Sequence, residues 1–157
     1  MMYSIWVKST TNQLFKIEET MKFFSEEEEK DYFEPHVTLV TNLQSENFAL
    51  DIFDKITKHK FDIIFDGIQE GKTYFQRLFL TASDNSNFQI LINNIEGWPS
   101  LWVPHLSLYY GNELPKSYSQ ETLHNLLPIT VTFDTLELYR TGPLVSEWNK
   151  ITSLILN

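Results

Sequence analysis

Apolar and polar positions alternate along this chain with two different periods, and the switches between them mark out its elements. Tyr3 to Val7 alternates and is rich in β-formers, which predicts an opening strand. Thr10-Thr11-Asn12-Gln13 has the form of a capping box, and Leu14, Ile17, Met21 and Phe24 follow at helical spacing. The acidic run Glu26 to Glu29 reads as a solvated surface segment. A strand is expected over about residues 35–41. Ser45 then opens a second helix, whose apolar stripe is Ala49, Ile52, Phe53 and Ile56. Phe61 to Phe65 and Tyr74 to Thr81 are β-type runs separated by a Gly-containing turn, so a hairpin is expected there. Ser86-Asn87-Phe88-Gln89 repeats the capping-box form ahead of Leu91, Ile92 and Ile95, with Gly97 as the helix stop. A strand over about 103–110 ends at Gly111. A fourth helix spans 117–127, closed by Pro128. Strands over about 129–139 and 148–156 follow, with the turn Gly142-Pro143 between them.

The order β-α-β-α-β-β, then α-β-α-β-β, predicts an α+β fold. We expect one domain over residues 1–157, bilobal, with two pseudo-symmetric antiparallel sheet lobes and outer helices around a central cleft. No Pro/Ser-rich hinge interrupts the chain.

Within this pattern, Pro35-His36-Val37-Thr38-Leu39 recurs 69 residues later as Pro104-His105-Leu106-Ser107-Leu108. Successive strand side chains alternate faces. His36 and Thr38 therefore share one face, as do His105 and Ser107, while the aliphatic residues point into the core. If these strands meet in space, with the histidines facing each other across the cleft, two imidazoles and two hydroxyls converge on one small volume. A lone strand histidine is more often structural than catalytic, but two in matched frames favour a site. Hydrolysis of a phosphodiester needs one proton taken from water and one given to the leaving oxygen. Imidazoles titrate near the pH where both transfers are feasible. The hydroxyls of Thr38 and Ser107 can donate to phosphate oxygens as charge builds on them.

Composition narrows the substrate. Net charge is −9 with 12 Lys+Arg, and no basic cluster is denser than Lys58-His59-Lys60. A protein that grips long nucleic acid needs basic surface, so a small phosphorylated partner is expected instead. A cyclic phosphate with one negative charge suits this scarcity of cations. Cysteine is absent, which excludes disulfides, thiol nucleophiles and Cys-based zinc sites. No apolar run approaches the roughly 18 residues of a membrane span, and the start lacks a signal-peptide pattern. An intracellular, cytoplasmic protein is expected, with association to an organelle such as the Golgi left open, as is the oligomeric state.

Two decoys need separating from the site. Gly67-Ile68-Gln69-Glu70-Gly71-Lys72-Thr73 resembles a P-loop but has three residues between its glycines, and a β-type run follows where a helix is required. It is expected to be a hairpin turn, from which Lys72 or Tyr74 could reach the cleft. His59 and His124 have no patterned frame and are expected at the surface. No spacing of His and Glu supports a zinc site, so no metal or cofactor is expected.

With both frames in view, the chain resembles the two-histidine phosphoesterase superfamily, defined by paired His-x-Thr/Ser-x motifs. Within it, the chain looks most similar to fungal 2′,3′-cyclic-nucleotide 3′-phosphodiesterases. The likeness extends to Phe33-Glu34, to Gly71-Lys72-Thr73-Tyr74-Phe75 and to Gly142-Pro143 with Trp148. It implies metal-independent opening of ADP-ribose 1″,2″-cyclic phosphate and of nucleoside 2′,3′-cyclic phosphates, downstream of tRNA splicing. It implies His36 and His105 as the acid/base pair, and Thr38 and Ser107 as phosphate binders. Tyr110 and Trp6 are implied as further substrate contacts. Strict alternation would put Tyr109, not Tyr110, on the histidine face unless a bulge or the strand end intervenes. For Trp6, plain core packing is the alternative. An RNA-end or 2′–5′ RNA phosphoesterase and a non-catalytic nucleotide-binding module are the rival functions.

Overall fold

A computed structural model of the protein describes residues 2–95 and 103–157. The expected helix stop at Gly97 lies outside these residues. The opening sequence builds β1 (Met2–Lys8) and leads into α1 (Phe15–Glu27). Then come β2 (Val37–Leu43), α2 (Glu46–Lys55), β3 (Phe61–Phe65), β4 (Gly67–Thr73), β5 (Gln76–Thr81) and α3 (Ser86–Ile92). The second half supplies β6 (His105–Tyr109), α4 (Gln120–His124), β7 (Ile129–Phe133), β8 (Thr135–Thr141) and β9 (Asn149–Ile155).

Seven strands form one antiparallel sheet in the order β4-β5-β6-β2-β1-β8-β9, and β3 pairs with β7 as a separate ribbon. The sheet has two halves, β4-β5-β6 and β2-β1-β8-β9, that join edge to edge where Val37 pairs with Leu106. The two histidine strands are therefore neighbours within one sheet, not strands opposed across a gap. One face of the sheet is apolar and carries Ile5, Val7, Val37, Leu78, Leu80, Leu106, Leu136 and Leu138, all fully buried. α1 packs on β6, and α2 on β1, β2 and β8. The helices thus cover one face and leave the other for the cleft, as the bilobal α+β expectation required.

The expected hairpin of Phe61 to Phe65 with Tyr74 to Thr81 does not form. β5 pairs instead with β4, through a turn at Tyr74-Phe75, and β3 pairs with β7 from Phe61↔Phe133 to Phe65↔Ile129. Burial explains the choice: Ile63, Phe65, Val131 and Phe133 meet on one face of the ribbon and are 0–2% exposed. The P-loop-like heptapeptide is β4 itself, with no helix after Lys72-Thr73. A Cβ at Gly71 would collide with the Gln76 carbonyl of the partner strand, so the glycine is there for close backbone approach.

Recognising β4 changes the repeat. The order β-α-β-α-β-β occurs twice, as β1 to β4 and β5 to β8, followed by β9. β4 pairs with β5 of the second set, while β8 pairs with β1 of the first. The last strand of each set is thus exchanged into the other lobe.

Smaller differences have local causes. Ser45 caps α2 by accepting from the Phe48 amide. Neither α1 nor α3 has a side-chain cap. Gln13 instead accepts from the Thr132 amide and ties the start of α1 to β7. Glu27 and Glu28 lie at the surface but accept hydrogen bonds from Ser117 and the Lys116 amide, so the acidic run anchors the loop before α4. The expected strand 129–139 breaks at Asp134, whose carboxylate accepts from the Thr10 amide.

Candidate active site

The exposed face of the sheet carries a cleft of about 540 Å³. Trp6, His36, Thr38, His105, Ser107 and Tyr110 all line it, so these six come to one place. Ser4, Thr41, Asn42, Phe75, Gln76 and Trp148 also line it. Lys72 and Tyr74 do not. His59 and His124 are exposed elsewhere.

The strand pairing explains the convergence. Antiparallel register through Val37↔Leu106, extended by one residue either way, sets His36 opposite Ser107 and Thr38 opposite His105. In this register each imidazole neighbours the hydroxyl of the other motif.

Both motifs are followed by the same irregularity. In β2 the pairing with β1 runs Trp6↔Thr38, then Ile5↔Val40, leaving Leu39 as an extra residue. In β6 the pairing with β5 runs Phe79↔Ser107, then Leu78↔Tyr109, leaving Leu108 extra. Each is a β-bulge, which resets the alternation of faces. Tyr109 therefore turns to the core, where its ring meets Phe24 edge-on at 6.3 Å. Tyr110 turns to the cleft. The bulge in the first motif sends Thr41 there in the same way, and its hydroxyl lies 2.8 Å from that of Ser4. Thr41 precedes Tyr110 by the same 69 residues that separate the motifs, which is the signal the sequence held for it.

Matching hydrogen bonds fix both imidazoles. His36 Nδ1 donates to the Glu34 carbonyl at 2.8 Å, and His105 Nδ1 donates to the Val103 carbonyl at 3.3 Å. In each case the partner is two residues back. With Nδ1 protonated, Nε2 is left free to accept a proton. Among the described residues neither Nε2 has a hydrogen-bond partner.

Burial lowers the pKa of both rings. His36 is fully enclosed and pushed down to about 4, by burial first and then by the positive charges of Lys8 and His105, against the Glu34 carbonyl bond that favours its charged form. His105, partly buried, is shifted down in the same direction by burial. The free protein therefore holds both imidazoles neutral at pH 7. An anion between them would favour protonation of one.

Aromatic rings wall the cleft. Trp6 stacks on His36 at 3.8 Å and on Tyr139 at 4.0 Å, and meets Trp148 edge-on at 5.2 Å. Both faces of Trp6 are covered, so it supports His36 and leaves its edge to the cleft. Tyr110 stacks on Phe33 at 3.9 Å and meets Phe75 at 5.1 Å. Burial raises its pKa, so it stays a neutral phenol. Among the described residues no three His, Cys, Asp or Glu side chains are grouped to hold a metal ion.

Comparison with known proteins bears directly on this arrangement. The cyclic phosphodiesterase-like protein family matches residues 1–96, well over half of the chain. The chain belongs to that family. The match takes in β1, the first motif and the β4–β5 hairpin. The second motif lies beyond it and is joined to the first by the sheet pairing above. No curated protein sequence matches the chain. Among solved structures, one described as a phosphoesterase shares the fold with a TM-score of 0.64 at 11% identity, covering 99% of this chain and 98% of that one. E. coli LigT in apo form gives 0.64 at 12% identity, covering 99% and 96%. TT0787 of Thermus thermophilus gives 0.63 at 13%, covering 99% and 98%. At these identities the structures share the fold alone. With the family match they place this cyclic phosphodiesterase-like protein in the two-histidine phosphoesterase superfamily, as a phosphoester hydrolase acting on cyclic phosphates. No helix among the described residues is long and apolar enough to cross a membrane.

Proposed function

We propose that this protein hydrolyses small ribose cyclic phosphates without a metal, in the manner of fungal 2′,3′-cyclic-nucleotide 3′-phosphodiesterases. It opens ADP-ribose 1″,2″-cyclic phosphate to ADP-ribose 1″-phosphate, and nucleoside 2′,3′-cyclic phosphates to nucleoside 2′-phosphates, downstream of tRNA splicing. The observation that carries this reading is the pair of like-held imidazoles, each beside the other motif's hydroxyl, in one cleft. Water attacks phosphorus as one imidazole takes its proton. The P–O3′ bond of the nucleotide, or the P–O2″ bond of the ADP-ribose ester, breaks as the other imidazole, protonated, supplies a proton to the leaving oxygen. Thr38 and Ser107 donate to the non-bridging oxygens. Tyr110 and the edge of Trp6 bound the substrate. The whole chain acts as one domain of two pseudo-repeat lobes, with a small nucleotide as its partner.

The test follows product from ADP-ribose 1″,2″-cyclic phosphate by phosphorus NMR. His36→Ala and His105→Ala are each expected to lose about 10²–10⁴-fold in turnover while keeping the native circular dichroism, and EDTA is expected to change nothing. A near-normal rate in either folded variant overturns the reading. Tight binding without turnover by the unaltered protein would identify a nucleotide-binding module instead.

A further inference from the structure

Pseudo-symmetry makes the two histidines comparable, and the neighbourhood of His36 breaks it. Val7 pairs with Val37, which by extension sets Lys8 opposite His36. The equivalent pair in the second lobe is Thr81 with His105. A cation thus stands where the other lobe has a hydroxyl. Trp6 and Phe79 correspond likewise, each opposite a motif hydroxyl.

Lys8 is enclosed at the end of β1, its side chain 10% exposed. The ammonium has three close partners, two of them hydrogen-bond acceptors and the third an ion-pair partner. They are Glu34 Oε2 at 2.7 Å, the Tyr139 hydroxyl at 2.8 Å and Glu137 Oε1 at 3.0 Å. Burial works against its charge, but these partners outweigh it and raise its pKa, so Lys8 stays protonated. Glu34 is largely exposed and Glu137 buried; an exposed pair contributes little, and a buried one contributes little net stability compared with an apolar replacement. The value of Lys8 lies in what it holds in place.

We infer that Lys8 is a positioning residue for His36, closing a ring of contacts. The ring runs from the His36 imidazole to the Glu34 backbone carbonyl, through the Glu34 carboxylate to Lys8, on to the Tyr139 hydroxyl, through the Tyr139 and Trp6 stack, and back to the face of His36. Each link constrains the next, so the imidazole is fixed at Nδ1 and across one face together. His105 has a longer carbonyl bond and a tilted Phe79 at 4.8 Å, and among the described residues its strand partner is the uncharged Thr81. Lys8 thereby makes the two imidazoles unequal, in orientation and in field. The groups bearing on His36 are Lys8 from β1, Glu34 from the segment before β2, His105 from β6, Glu137 and Tyr139 of β8 through Lys8, and Lys150 of β9 through Glu137 and Glu34.

The test uses the intact protein and two variants. In Lys8→Met the positive charge is lost and Glu34 loses its ion-pair partner, while Glu137 keeps Lys150 at 3.3 Å, so both changes favour the imidazolium. By nitrogen-15 NMR the His36 titration is expected to move to higher pH while that of His105 moves less, and the single Nδ1–H tautomer of His36 is expected to become mixed. With a ribose cyclic phosphate, kcat should fall about 10- to 100-fold with KM changed less than about threefold, as for loss of orientation. Tyr139→Phe keeps the stack but removes one link, and should mix the His36 tautomer with a smaller loss of kcat. An unchanged His36 titration and tautomer in folded Lys8→Met overturns the inference. If that variant does not fold, an unchanged tautomer in Tyr139→Phe overturns it. The activity arm rests on the proposed function, whereas the NMR arm needs no substrate. A protein without turnover that shows the predicted shifts would overturn the function and keep the inference.

Discussion

Val37 stands opposite Leu106, and through this one pair the two lobes of the sheet bring their histidine motifs side by side. Both residues are fully buried under the helices. The joint therefore serves stability and the site together. Leu106→Ala should cost about 2–5 kcal/mol, the usual range for a large core deletion, measured by urea unfolding. It should also lower kcat by loosening the register that aligns His36 with Ser107. A variant with full activity and a loss under about 0.5 kcal/mol would show that the pair does not hold the lobes together.

Acid should destabilise the protein through His36. The imidazole is neutral and buried, with its pKa lowered from 6.5 to about 4, mainly by burial. The unfolded chain binds a proton in that window and the native state does not. Stability from this group is therefore complete above pH 6.5 and is lost as pH falls to about 4, by about 3 kcal/mol in all. His36→Asn should flatten the urea-unfolding profile across that window. An equally steep profile in the variant would place the acid sensitivity elsewhere.

Tyr109 and Tyr110 should separate cleanly. Tyr110→Ala is expected to reduce kcat/KM by roughly tenfold or more, because an aromatic wall of the cleft is lost, and to cost about 3–5 kcal/mol in stability, as for a buried aromatic stacked on Phe33. Tyr109→Phe should leave kcat/KM within about twofold, since Tyr109 packs with Phe24 on the core face. Steady-state kinetics on both variants checks this, and the reverse ranking would contradict the bulge at Leu108.

Among the described residues that line the cleft there is no Lys or Arg, and residues 96–102 contain neither. The Arg77 guanidinium is engaged by the carbonyls of Gly111, Gly71 and Lys72. A long phosphate backbone running through the cleft therefore finds no row of counter-charges. An oligonucleotide ending in a 2′,3′-cyclic phosphate should be turned over no faster than the mononucleotide at matched concentration, and kcat/KM should change little with salt. A preference of about tenfold for the oligonucleotide would favour the RNA-end reading.

How legible this was in the sequence differs by element. The paired motifs stood out because their alternation has a buried and an exposed face, and the structure puts those faces where the alternation did. Ser45 was readable for the same reason, since its cap is local. β4 was not readable. Gly67 to Thr73 buries no side chain fully, and backbone pairing with β5 makes it a strand, so its hydrophobic pattern is silent. The β3–β7 ribbon joins segments far apart in sequence, where local rules favour a hairpin. Tyr110 required a bulge, which leaves no trace in the apolar pattern itself. Lys8 was not readable, because its three partners, Glu34, Glu137 and Tyr139, come from distant positions.

On the proposed function, the two motifs form one phosphoester site. The most direct measurement is a crystal structure with inorganic phosphate bound. We expect the anion between the Nε2 atoms of His36 and His105, accepting hydrogen bonds from the hydroxyls of Thr38 and Ser107. A phosphate bound at another surface, with this cleft left to water at saturating concentration, would contradict the account.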